Sequence, residues 1–257
     1  MLTCALPIAV GMLFAGAAPD TGAGRSAAFG ADDVLAKTRA AYAALTSYAD
    51  SGTVLSEVAG FTNRSTFRTL FIRDPRYLLI DYRFVASEYT SGYRLPGGAR
   101  IVIWMEKGEL QTWNSKTQEH ETYPADGGHQ VDALKYANYG TTGISVLIPS
   151  HLYSKSGLAS IVHATEEAQA DGFETVEGRR CFRIRGVERW RYPNGRETGV
   201  RPISLWIDAE TYLIHKIVED TPRGAPRGSI DRQIFSIKYQ INPKLEPAQF
   251  HFDAPES

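Results

Sequence analysis

Cysteine is nearly absent from this chain, with two in 257 residues, Cys4 and Cys181. Cys4 falls in an apolar leader, so Cys181 stands alone in the processed chain and an intramolecular disulfide is excluded. An excess of charge of one sign is missing too. The net charge is −1 and no basic block occurs, which argues against a nucleic-acid partner. The six histidines are scattered, without H-x-x-x-H or H-x-x-E-H spacing, and no Gly-rich phosphate loop is present. Residues 143–147 (GISVL) make only the front half of a nucleophile elbow around Ser145, because position 147 is not Gly. Cys181 has Arg180 and Arg183 nearby, and such cations favour a thiolate. Strand alternation puts its immediate neighbours on the other face, so it reads as a buried, inert thiol. Asp208 and Glu210 flank a turn, where acidic residues serve structure. No metal site, no cofactor and no catalytic residue is expected, and the chain reads as a non-enzyme; an enzyme of unrecognised type is a rival.

The start of the chain is a separate matter. Residues 2–18 are apolar and rich in Ala and Gly, and 19–26 are small and polar. Ala15-Gly16-Ala17 fits a small-residue cleavage site. The expected organisation is a signal peptide over 1–17, a flexible linker over 18–30 and one domain over 31–257. No Lys or Arg precedes the apolar run, so an uncleaved anchor and a disordered tail are the alternatives. The run is short for a membrane span and is broken by Pro7. Leu2-Thr3-Cys4 follows no hydrophobic run, so lipidation is not expected there. The expected location is the periplasm, or another exported one.

What is abundant points to strands. The chain is 43% hydrophobic, with thirteen Tyr, eleven Phe and four Trp beside many Thr and Val. Val34, Thr38, Ala41, Tyr42 and Leu45 recur at helical spacing, with Asp32 and Asp33 at the helix start. From Tyr48 the pattern turns to a strand through 57, with Gly52 inside it. Further strands are expected over 62–74, 76–88, 100–106, 109–114 and 120–123, with tight turns between them. Residues 129–139 and 142–153 read as helical, the second kinked by Pro149, and form a candidate lid. Strands resume over 159–169, 173–176, 180–188, 203–208, 213–220 and 229–241. Eight arginines lie between 179 and 201. They form either a basic rim for anionic headgroups or an acidic partner, or a solvated outer face paired with Glu174, Glu177, Glu188 and Glu197.

Three stretches carry a resemblance: YAALTSYADSGTV at 42–54 after the first helix, SLWIDAETYLIHKI at 204–217, and INPKLEPAQFHFDAPES at 241–257. With the order of elements, they resemble the LolA/LolB-type superfamily of periplasmic lipoprotein carriers and lipoprotein-sorting-like proteins. The resemblance implies a mainly β, α+β fold: an incomplete, strongly curved antiparallel β-barrel closed by a helical lid, with an apolar cavity for lipid or acyl chains. Apolar strand faces and the lid supply the candidate lining, Leu78, Ile80, Tyr82, Phe84, Trp104, Ile144, Leu147, Ile148 and Trp206; the bland alternative is an ordinary core. The expected function is binding and transfer of a lipid or lipid-modified protein by a monomer, with a membrane-bound donor or acceptor. The alternative is an envelope sensor or regulatory module of the same fold that binds a protein partner.

Overall fold

Apolar spacing over the first helix is realised as α1 (Ala31–Ala44), which buries Ala31, Val34, Leu35, Thr38 and Tyr42. Its N-cap is Gly30, which has no side chain to cap with, while Asp32 and Asp33 sit inside the first turn and face the helix dipole favourably. The computed structural model describes residues 29–58, 61–87, 98–106, 108–123, 152, 165–191, 197–222 and 230–255.

The strands are β1 (Ser47–Val58), β2 (Phe61–Ile72), β3 (Tyr77–Ser87), β4 (Arg100–Glu106), β5 (Glu109–Asn114), β6 (Glu119–Tyr123), β7 (Glu166–Val176), β8 (Arg179–Arg191), β9 (Glu197–Asp208), β10 (Ile214–Pro222) and β11 (Ile230–Ile241). They form one antiparallel sheet in the order β6-β5-β4-β3-β2-β1-β11-β10-β9-β8-β7, with β6 and β7 as open edges. Two meanders, β1–β6 and β7–β11, are thus joined by the β1–β11 ladder, which runs from Tyr48 opposite Ile241 to Glu57 opposite Arg232. The face toward α1 is one continuous core that reaches from Ile101 and Leu110 at one side to Phe182 and Ile184 at the other. A sheet this wide brings such distant residues into one core by curving around it.

The expected β-rich architecture is observed; the lid expected over 129–139 and 142–153 lies outside the described residues apart from Leu152, which is buried in this core. Two expected boundaries change: the strand expected over 203–208 is β9, which begins at Glu197, and two expected strands merge. Residues 159–169 and 173–176 read as two strands parted at Asp171-Gly172, yet the structure has a single β7. Asp171-Gly172 is a bulge within it, with the register shifting between Ala170 and Phe173 and Gly172 at φ +99°.

On the outer face a second core holds Leu70, Leu79, Val102, Trp104, Trp113 and Phe250. The C-terminal tail supplies its cover: Phe250 packs on Tyr77, and Phe252 packs on Trp104 and Trp113 beneath Arg100. The tail is clasped where β1 begins. Asn242 Oδ1 accepts the Thr46 N–H at 2.9 Å and its hydroxyl at 3.0 Å, and the Ser47 hydroxyl donates to the Pro243 carbonyl at 2.7 Å.

Gly52 sits mid-ladder, opposite Phe67 on β2 and Ile237 on β11. A Cβ here would collide with the Ser236 carbonyl and the Phe67 ring, so the close approach of three strands requires glycine. Gly52→Ala is expected to lower unfolding free energy by about 1–3 kcal/mol, as overpacking does; urea denaturation showing no change would contradict the tight packing.

Candidate functional site

Strand alternation sorts the candidate lining residues onto two faces. Leu78, Ile80, Tyr82 and Phe84 alternate along β3 and all join the concave core under α1. Their cross-strand partners Met105, Ile103 and Ile101 on β4, and Phe71 on β2, extend the same apolar floor. Trp104 and Trp206 belong to the opposite face. Trp104 pairs with Leu79 and packs in the outer core, stacked on His120. Trp206 pairs with Arg183 and Lys216, lies under both cations and donates its indole N–H to Glu174. The nine residues are therefore not one surface, because even-numbered positions on β3 and β4 point oppositely in an antiparallel register of this parity. Ile144, Leu147 and Ile148 lie outside the described residues.

Helix α1 is fixed over the floor by polar contacts at its C-terminal end. The Tyr42 hydroxyl accepts the Ile214 N–H at 3.1 Å, and its ring meets Tyr48 edge-on. The Tyr48 hydroxyl donates to Asp50 at 2.9 Å, and burial pushes the Asp50 carboxyl up to about 6. No basic residue occupies the last turn of α1. Arg73, from the β2–β3 turn, does that work instead. Its guanidinium donates to the Leu45 carbonyl at 2.7 Å, the Tyr42 carbonyl at 2.9 Å and the Leu152 carbonyl at 3.3 Å. One cation thus ties the helix end to the segment between β6 and β7.

Further along the strands the concave face turns polar. Glu219 on β10 lies opposite Gln233 on β11, which lies opposite Ser56 on β1. Two residues back along each strand, Ile217, Phe235 and Val54 belong to the apolar core. The Glu219 side chain is 1% exposed and accepts from Arg201 at 2.7 Å. Arg201 also donates to Glu188 at 2.9 Å through Nε and bonds it again through Nη2. Burial raises the Glu219 carboxyl, Arg201 lowers it and Glu188 raises it again, leaving it at about 7.

This cluster was not anticipated from sequence, although Ile217 and Glu219 share a parity, which places a carboxylate on an apolar face. Four further arginines resolve toward the paired alternative. Arg183 meets Glu174 at 2.6 Å, Arg185 meets Asp171, Arg189 meets Glu166 and Glu167, and Arg232 meets Asp220 at 2.7 Å. These four carry paired rather than free charge, which argues against a basic rim built from them. Cys181 is fully buried, and burial pushes its thiol up to about 11, which suppresses the thiolate. Burial pushes the Asp208 carboxyl up, but the Thr211 N–H, Arg179 and the Glu210 N–H bring it down to about 2, so it holds its turn together. Among the described residues, no group of three or more His, Cys, Asp or Glu is placed to hold a metal.

No protein-family model and no curated protein matches the chain. Solved structures do. The chain is similar to the Mycobacterium tuberculosis lipoprotein LppX at 14% identity, covering 84% of this chain and 98% of that one, with a TM-score of 0.44. It is similar to the LolA superfamily protein NE2245 of Nitrosomonas europaea at 9% identity, covering 88% and 99%, with a TM-score of 0.35. It is also similar to a chain of the Pseudomonas aeruginosa MucA/MucB complex at 16% identity, covering 87% of this chain and 61% of that one, with a TM-score of 0.43. The likeness read from three stretches of sequence thus recurs among solved structures. At such identities and TM-scores it does not carry a function across.

Because the folded Glu219 pKa of about 7 lies above the ordinary 4.5, the folded state holds the proton more tightly than the unfolded one. The stability that this carboxyl contributes is complete at low pH and declines as pH rises through that window. Wild type relative to Glu219→Gln is expected to lose up to about 3 kcal/mol of unfolding free energy across it. A difference that stays flat with pH in chemical denaturation would contradict the burial of this group.

Proposed function

We propose that the chain is an exported, non-catalytic carrier that holds the acyl chains of a lipid or lipid-modified protein against the concave face of the sheet. In this reading 1–17 is a signal peptide, 18–30 a linker and 31–257 the carrier domain. The lining comprises Leu78, Ile80, Tyr82 and Phe84 with their partners on β2 and β4, and Ile144, Leu147 and Ile148 contribute from the segment between β6 and β7. Trp104 and Trp206, which face the other way, are not part of it.

One observation carries the reading. A continuous apolar face spans both meanders, and α1 is the one helix longer than a single turn found against it among the described residues. Among the described residues, Leu152, from the segment between β6 and β7, also packs in this core, and its carbonyl accepts from Arg73. In this reading an entering acyl chain displaces Leu152 from the face. Burial of about ten methylenes yields about 8 kcal/mol before the loss of freedom on binding is subtracted. That leaves an affinity modest enough for release to a membrane-bound acceptor.

The test is native mass spectrometry with solvent extraction on the full chain purified without detergent. A reproducible co-purifying lipid is expected. Phe84→Glu, at the rim of the floor, is expected to weaken uptake at least about tenfold while the far-UV circular dichroism remains that of a sheet protein. A clean unliganded mass, with no uptake of added phospholipid or lipopeptide, overturns the carrier reading in favour of a protein-binding regulator of the same fold.

A further inference from the structure

Resting on the acyl-chain reading, we propose that Glu219 and Gln233 form a subsite on the concave face for the protonated primary amine of an amphiphile whose chain lies on the adjoining apolar floor.

The first support is geometric. Glu219 and Gln233 are direct cross-strand partners, which places their Cβ atoms about 5 Å apart on one face. Ile217 and Phe235, likewise partners, lie two residues away on the same face. At about 3.4 Å per residue the polar pair therefore stands about 7 Å from the apolar floor, the spacing of a head group beside its own chain.

The second support is unsatisfied chemistry. One Glu219 oxygen is taken by Arg201, but its Oε1 is buried and has no hydrogen-bond partner among the described residues. Gln233 Oε1 is buried and unpartnered in the same way. The two oxygens belong to one cross-strand pair, and with Glu219 ionised neither receives a hydrogen bond from a described residue. A buried acceptor without a partner calls for a group that brings N–H or O–H bonds.

Charge then selects among donors. Arg201 is shared by Glu188 and Glu219, so two carboxylates stand against one guanidinium and the ionised cluster carries −1. A phosphate or sulfate is repelled there. An ammonium brings one compensating charge and three N–H donors, enough for both oxygens. It also favours the ionised Glu219, which burial by itself disfavours.

The experiment titrates the full chain at pH 8, by calorimetry below the micellar range, with three probes sharing a twelve-carbon chain: dodecylammonium, dodecyltrimethylammonium and dodecyl sulfate. Dodecylammonium is expected to bind about tenfold more tightly than the trimethyl cation, which has no N–H to donate, and dodecyl sulfate more weakly still. Glu219→Gln is expected to abolish the preference. Gln233→Met, which leaves the Arg201 ion pairs intact, is expected to reduce it and guards against a folding defect in the first variant. Equal binding of the two cations by wild type, or a preference that persists in both variants, overturns the subsite while leaving the chain-binding face in place. Binding of none of the three probes overturns the acyl-chain reading itself, and the subsite with it.

Discussion

The ladder between β1 and β11 is the interaction on which everything else depends. It pairs residues 48–57 with 232–241, about 180 positions apart, and turns two meanders into one sheet. Without it neither meander has a face large enough to define a concavity. Its middle is also its tightest point, since Gly52 lies where neighbouring backbone and the Phe67 ring leave no room for a side chain. The Asn242 clasp ties the entry to β1 to the exit from β11, so the same end of the ladder holds α1 and the start of the tail. So long-range a pairing gives a high contact order, which makes the closing of the sheet a late and slow event.

Local patterning made most of the strands legible. Residues 100–106 and 109–114 are strands with the boundaries their composition and turns suggest, and 76–88 shows its buried parity plainly in Leu78, Ile80, Tyr82 and Phe84. What alternation within one strand cannot state is which face of that strand joins which face of the next. Hydrophobicity groups Trp104 and Trp206 with the β3 residues, whereas register places both on the outer face. The tail and the cation pair that cover them are distant in sequence, so no local signal foretold them. The Asp171-Gly172 bulge was misread for a related reason: a glycine at positive φ suits a turn and a bulge equally.

The concave face is divided along its strands rather than across them. Near α1 it is apolar, with Arg73 and the Tyr42–Tyr48–Asp50 chain holding the helix in place. Toward the other end it carries Glu219, Arg201, Glu188, Gln233 and Ser56. In its ionised form a carboxylate placed there gains the core strands little stability, since its desolvation offsets much of what the ion pair returns. On the proposed reading, this division of one surface into apolar and polar halves is the complement of an amphiphile.

The most direct measurement is methyl NMR of the Leu, Ile and Val side chains during titration with a single-chain amphiphile. Leu78, Ile80, Ile103, Leu205 and Ile217 report the concave core, whereas Leu70, Leu79 and Val102 report the outer core of the same strands. Saturable shifts confined to the first group are the predicted result. Shifts confined to the second group, or none at saturating amphiphile, would contradict binding on the concave face.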